Sequence, residues 1–198
     1  MRKYVIMGVQ GSGKGTQSEM LAADLDLVHI SVGEIFRWNV ANHTKLGTRV
    51  QRVITAGELV ADDLVESVIA RRLAEHDWNY GFILDGFPRN VAQAEFLLRS
   101  YDVDAVIELD LPDSEVRRRV KARDGEARDG QAEARDDDTE QALAVRLREF
   151  HEKTRPVLDL FRQKESVVTV DAMPPREDVQ QEIRSRLGLP AYKGVPAQ

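Results

Sequence analysis

The sequence predicts an α/β fold: a doubly wound, five-stranded parallel sheet with helices on both faces. Three observations point there. Five short apolar runs, at Tyr4–Met7, Val28–Ile30, Phe82–Leu84, Ala105–Leu109 and Val167–Val170, alternate with longer stretches of helical periodicity. The runs are nearly continuous in apolar character, as strands buried on both faces are. The first run leads straight into a glycine-rich loop, Gly8 to Gly15, that opens a helical pattern.

Each element has its own signal. Met20, Leu21 and Leu25 fall at helical spacing after the glycine loop. Ser31-Val32-Gly33-Glu34 is a capping box, with Ser31 as N-cap and Glu34 three residues on, so a helix opens near Gly33. Helical pattern continues to about Glu75, broken near Thr44 and Gly57. The third strand stops at Asp85-Gly86. Val91 to Ser100 is helical, with Ala94, Leu97 and Leu98 as its apolar stripe, and Asp113 is placed to cap the helix after the fourth strand. Lys121 to Asp138 has almost no apolar residue larger than Ala and carries Ala-Arg-Asp three times; it is expected to be exposed and mobile. A long helix follows Thr139, with Leu143, Leu147 and Phe150 facing inward and a kink at Pro156. A last helix covers Asp178 to Leu187, and the tail after Pro190 is expected to be loose.

In such sheets ligands lie beyond the carboxyl ends of the strands. The first, third and fifth strands end at Gly8, Asp85 and Asp171, and the site is expected where these three ends meet.

Composition narrows the classes of function. The chain has 198 residues, 42% hydrophobic and 31% charged, which suits one compact soluble domain over 1–198. Its net charge of −6 argues against general nucleic-acid binding, while local Arg clusters can still make a cleft positive. There are no cysteines, so disulfides and thiolate metal sites are excluded and no structural zinc is expected. The start, MRKYVIMG, is too short in apolar residues for a signal segment, and no stretch approaches the roughly 20 apolar residues of a membrane span. The expected location is the cytoplasm, with no membrane or nucleic-acid partner.

Gly8-Val9-Gln10-Gly11-Ser12-Gly13-Lys14-Gly15-Thr16 lies between a strand and a helix, the context of a phosphate-binding P-loop. Successive backbone N–H groups turn toward an anion, the helix N-terminus adds partial positive charge, and Lys14 reaches the β- and γ-phosphates. The hydroxyl residue comes one place late, with Gly15 between Lys14 and Thr16. Mg²⁺ accompanying ATP is therefore expected to keep more of its water. Asp85 ends a strand beside this loop and is the candidate to hold Mg²⁺ through water.

G-x-x-G-x-G-K-G-T-Q resembles the adenylate kinase family and its nucleoside-monophosphate kinase relatives, in their short-lid form. The resemblance runs from the first strand to about Asp171 and implies a P-loop NTPase-like sheet. It also implies a helical acceptor-binding insertion at 31–62, a short lid at 123–138, and usually a monomer. On the donor side it implies ATP contacts from Gly11, Ser12, Gly13, Lys14, Gly15 and Thr16. Arg119 would stack on the donor base and Arg123 would reach its phosphates.

On the acceptor side it implies AMP contacts from Ser31, Val32, Arg37, Glu58, Val60, Gly86, Arg89 and Gln93. Arg37 resembles the monophosphate holder of S-T-G-D/E-x-x-R, and its planar fork suits phosphate better than an ammonium does. Gly57-Glu58-Leu59-Val60 resembles the G-K-L-V base-lining segment, with Glu58 in place of Lys. Gln93, four residues past Arg89, matches the adenine-reading amide. Lid arginines Arg135 and Arg146 resemble the lid exit that closes on the transferring phosphoryl; the repeats make Arg128 an alternative to Arg135. Lys14, Arg89, Arg123, Arg135 and Arg146 are thus the expected catalytic set, and the ionised acceptor requires no general base.

Gln10 stands where the family usually has Pro, and Val32 has no hydroxyl for a base. The acceptor expected first is AMP. A pyrimidine monophosphate kinase, a P-loop kinase for a non-nucleotide acceptor and a non-catalytic nucleotide-binding module are the alternatives. No Asn-Lys-x-Asp guanine reader is present, which argues against a GTPase switch.

Overall fold

The structure is a computed structural model. It describes residues 1–75, 80–128, 139–164 and 167–192, and for 124–128 and 164 the backbone only. Five strands form one parallel sheet: β1 Lys3–Gly8, β2 Leu27–Ser31, β3 Gly81–Asp85, β4 Ala105–Asp110 and β5 Val167–Asp171, in the order β2-β3-β1-β4-β5. The expected strands are all present, each within two residues of its apolar run. β1 pairs with β3 through Ile6 and Asp85, and with β4 through Gly8 and Leu109.

Parallel strands need covering on both faces, and β1 shows how the sequence does it. Tyr4 and Ile6 point into one apolar layer with Leu21, Val116, Leu147 and Ile183. Val5 and Met7 point into the other, with Phe36, Ile69, Leu97 and Phe161. The first layer is roofed by α1 Lys14–Leu25, α6 Asp113–Arg128, α7 Glu140–Glu149 and α9 Arg176–Arg186. The second is roofed by α2 Val32–Ala41, α4 Asp62–Ala74, α5 Val91–Ser100 and α8 Arg155–Lys164. α3, Lys45–Thr55, packs on α2.

Local chemistry sets the helix starts. Ser31 accepts from the Glu34 backbone N–H at 3.4 Å, Thr44 from Gly47 at 3.0 Å, Asn90 from Gln93 at 2.9 Å and Thr139 from Ala142 at 3.1 Å. The expected breaks at Thr44 and Gly57 are therefore real: Thr44 caps α3, and Gly57 follows its end.

Several expectations need correcting. Asp113 is the first helical residue of α6 rather than its cap; the Pro112 carbonyl receives the Glu115 and Val116 N–H groups. The helix does not stop at Lys121 but runs to Arg128, over a stretch in which the good helix formers Ala, Arg, Lys and Glu outnumber Asp124 and Gly125. The disturbance near Pro156 comes earlier, as a π-helical turn at Phe150–Thr154. The last helix begins at Arg176, behind Pro175. The chain just past it is tied down, with Arg184 Nε donating to the Pro190 carbonyl and the Tyr192 N–H donating to Gln181 Oε1.

Asp171 does not join the site. β5 is an edge strand separated from β1 by β4, so the cleft is built at the ends of β1, β2 and β3. The strand-end rule was sound, but sequence order does not give spatial order.

Candidate active site

Two connected pockets open at the carboxyl ends of these strands. The larger is walled by Gly8, Gly11, Gly13, Lys14, Gly15 and Thr16, faced by Asp85, Arg89, Arg123 and Arg146. The smaller is walled by Val32, Phe36, Ile54, Leu59, Val60 and Val65, with Arg37, Glu58, Gly86, Arg89, Gln93 and Arg146 contributing polar groups. Arg37, Arg89 and Arg146 line both, so they sit where the two pockets meet.

The phosphate loop is held by backbone. Ser12 N–H donates to the Val9 carbonyl at 3.2 Å, and Lys14 Nζ reaches back to the same carbonyl at 2.9 Å. Gly13, the N-cap of α1, has φ +94 with open space where a Cβ would go, so glycine is there for conformation alone. Ser12 is buried and its hydroxyl does not wall the cleft.

Lys14 is half-buried among cations. Its ammonium is pushed down to about 8: burial is the largest influence, Asp85 opposes it, and Arg89, Arg146 and Arg123 add to it. A net acidic chain thus gathers its positive charge in the cleft, the arrangement that draws polyphosphate anions. Asp85 is 8% exposed at the end of β3, with Oδ2 3.8 Å from where a Gly15 side chain would begin and 3.9 Å from His29 Nε2.

The smaller pocket is held by side chains. Arg37 lies over Gly33, where an added Cβ would come within 2.9 Å of Nη1. Glycine is needed at 33 for that close approach. Arg89 Nε donates to the Gly86 carbonyl at 2.9 Å, and Thr154 Oγ1 in the π-helical turn donates to the Arg89 carbonyl at 2.8 Å. Gln93 is 1% exposed. Its Oε1 accepts from the Arg89 N–H at 2.8 Å, and its Nε2 donates to Asp62 Oδ1 at 2.7 Å. Asn90 Nδ2 donates to the same Asp62 oxygen at 2.7 Å.

Arg119 sits at the far side of the phosphate loop. Its Nε donates to Glu115 Oε1 at 2.9 Å and its Nη2 to the Ala172 carbonyl at 2.8 Å. Hydrogen bonds from Arg118 and then Arg119 hold the Glu115 carboxyl down to about 2. Arg119 is thus tied to the loop after β5, and it walls neither pocket.

Most of the expected residues come together: Gly11, Gly13, Lys14, Gly15, Thr16, Ser31, Val32, Arg37, Glu58, Val60, Asp85, Gly86, Arg89, Gln93, Arg123 and Arg146 all wall one pocket or the other. Arg135 lies outside the described residues, as does much of the 123–138 segment, and Arg128 is described in backbone only. Gly33, Asp62 and Thr154 were missed. The Ser31-Val32-Gly33-Glu34 pattern held the signal for Gly33; nothing local marks Asp62 or Thr154.

A phosphate cradle opening onto an arginine-lined second pocket defines a P-loop phosphotransferase with a phosphate group as acceptor. The family model described as adenylate kinase matches residues 6–166. The adenylate kinase of Parvibaculum lavamentivorans is 39% identical over 197 residues, covering 97% of this chain and 95% of its own. That of Salinispora tropica is 38% identical, with 97% and 100% covered, and that of Thermobifida fusca 37% identical, with 93% and 97% covered. The chain belongs to the adenylate kinase family.

Proposed function

We propose that the chain catalyses ATP + AMP = 2 ADP by direct phosphoryl transfer, with the residue roles that follow. The observation carrying this reading is the second pocket. It has guanidinium groups at its junction with the phosphate loop and a buried amide, Gln93, beside the apolar side chains of Val32, Phe36, Leu59, Val60 and Val65. A phosphate at one end and a purine at the other satisfy both.

ATP lays its phosphates along Gly8 to Gly15, with Lys14 at the β- and γ-phosphates and Arg119 against the donor base. Asp85 fits a Mg²⁺ held through water, being a single, mostly buried carboxylate beside the side-chain-free Gly15. Mg²⁺ bound with the nucleotide would neutralise phosphate charge. Arg37 and Arg89 hold the acceptor phosphate, and Arg123 and Arg146 face the transferring group, joined by Arg135 as the family resemblance implies. Catalysis is then positioning, charge neutralisation and exclusion of water. The family resemblance, whose members are usually monomers, supports a monomer. No helix among the described residues is long and apolar enough to cross a membrane, in keeping with a cytoplasmic enzyme.

A coupled assay of ADP formation with Mg·ATP and AMP, CMP, UMP, dTMP or GMP tests the reading. Fast turnover with AMP alone is expected. Turnover with a pyrimidine nucleotide in its place would move the acceptor, and ATP binding without turnover on any acceptor would overturn the enzyme.

A further inference from the structure

Asp62 walls neither pocket, yet one of its oxygens receives two side-chain amides, Gln93 Nε2 and Asn90 Nδ2, each at 2.7 Å. The Gln93 contact joins residues 31 apart, linking the first turn of α4 to the first turn of α5. A carboxylate can only accept and a backbone N–H can only donate. With Asp62 at one end of the Gln93 amide and the Arg89 N–H at the other, the amide has one permitted orientation. Rotating it by half a turn would aim Oε1 at a carboxylate and Nε2 at an N–H donor. Each amide atom still has one unused valence, an N–H and a lone pair, and Gln93 lines the acceptor pocket.

We propose that Asp62 is a specificity-determining positioning residue: it locks the Gln93 amide so that the pocket accepts a 6-aminopurine and rejects a 6-oxopurine. This rests on the adenylate kinase reading above, in which Gln93 reads the acceptor adenine; in the orientation fixed here its Oε1 is the atom that would accept from a 6-amino group. Adenine offers a donor at that position where hypoxanthine and guanine offer an oxygen acceptor. An amide free to rotate would serve either base, presenting Oε1 to one and Nε2 to the other. A locked amide leaves two acceptors facing each other when a 6-oxopurine enters, and an unpaired buried polar group is what makes rejection steep.

The test is steady-state kinetics of wild type, Asp62→Ala and the near-isosteric Asp62→Asn, with AMP and with IMP as acceptor at saturating Mg·ATP. The wild-type preference for AMP over IMP in kcat/KM should narrow by about tenfold or more in Asp62→Ala and by less in Asp62→Asn, with the ATP KM unchanged. In a Gln93→Ala background Asp62→Asn should leave the ratio where Gln93→Ala puts it, because the lock then has nothing to hold. Equal losses with AMP and IMP in both Asp62 variants would overturn the proposal and leave Asp62 a structural tie. Wild type that turns over another monophosphate but not AMP would overturn the adenylate reading itself, and the inference with it.

Discussion

The two halves of the cleft are built from different materials. The half proposed for the donor is backbone: N–H groups of a glycine loop at the head of α1, with Lys14 folded back on Val9. The acceptor half is a web of side chains in which Asp62, Asn90, Gln93, Arg89 and Thr154 hold one another across four elements. Backbone N–H groups survive most point substitutions, proline and changes at glycine aside, whereas a side-chain web loses a bond when one of its members is replaced. The donor side is therefore suited to a fixed ligand and the acceptor side to tuning its base.

The sharpest way to break the donor side is to remove the one side chain it depends on. Lys14→Ala should lower kcat by about 10²–10³-fold, the size of loss seen when one preorganised transition-state contact is removed. The fold should survive, since the variant also removes an ammonium held in an unfavourable, buried place. Wild-type turnover from folded protein would refute the role. Circular dichroism and thermal melting beside the kinetics separate the two effects.

The same lysine gives the donor side a pH dependence that the arginines of the acceptor side lack. With the free ammonium lowered from 10.5 to about 8, ATP finds it charged below pH 8 and must bring a proton with it above. Affinity for ATP should fall by up to about tenfold per pH unit above 8 until the bound-state pKa is reached. Folding responds with the opposite sign. The unfolded chain holds this proton up to 10.5 and the folded one only to about 8, so the Lys14 contribution to stability rises between those values. Titration calorimetry in buffers of different ionisation enthalpy should show proton uptake at pH 9 and none at pH 7. Lys14→Arg should abolish the uptake, and its persistence there would place the titrating group elsewhere.

Glycine substitutions sharpen the contrast. At Gly13 a Cβ has space but the φ of +94 is wrong for it, so Gly13→Ala should cost about 1–2 kcal/mol of stability. At Gly33, inside α2, alanine favours the helix by about 1 kcal/mol and meets only the mobile end of Arg37. Gly33→Ala should leave the melting temperature unchanged or raised and the ATP KM unaltered. Displacing Arg37 should raise the AMP KM by about fivefold, about the worth of one weakened charge-assisted contact. A rise in both KM values would mean that the two halves are not separable.

This division also explains what the sequence could reveal. The phosphate loop is legible because its parts are contiguous, Gly8 to Thr16, and its geometry follows from strand, glycine and helix in order. The capping residues Ser31, Thr44 and Thr139 are legible for the same reason: each acts on a residue three places on. Arg37, Arg89 and Gln93 were found through the family resemblance rather than through local physics. Asp62 and Thr154 act on partners 31 and 65 residues away, and the edge position of β5, which excludes Asp171, is a matter of strand order. Long-range pairings leave no local pattern, so those parts needed the fold.

The smallest effect tests whether the acceptor web is complete. Val32 is 3% exposed in the pocket wall, at the place where the S-T-G-D/E-x-x-R pattern of the resemblance has Thr. Val32→Thr keeps the shape and exchanges a methyl for a hydroxyl. In the free enzyme that hydroxyl sits against an apolar wall, at a cost to stability of about 1 kcal/mol. With AMP bound it gains a base atom to bond, and a net hydrogen bond of this kind is worth about 0.5–1.5 kcal/mol. The AMP KM should therefore fall by about two- to tenfold while the melting temperature drops slightly and the ATP KM holds. If the AMP KM does not move, base reading rests on Gln93 and its Asp62 lock without help from α2, and the hydroxyl of that pattern is dispensable wherever that lock is present.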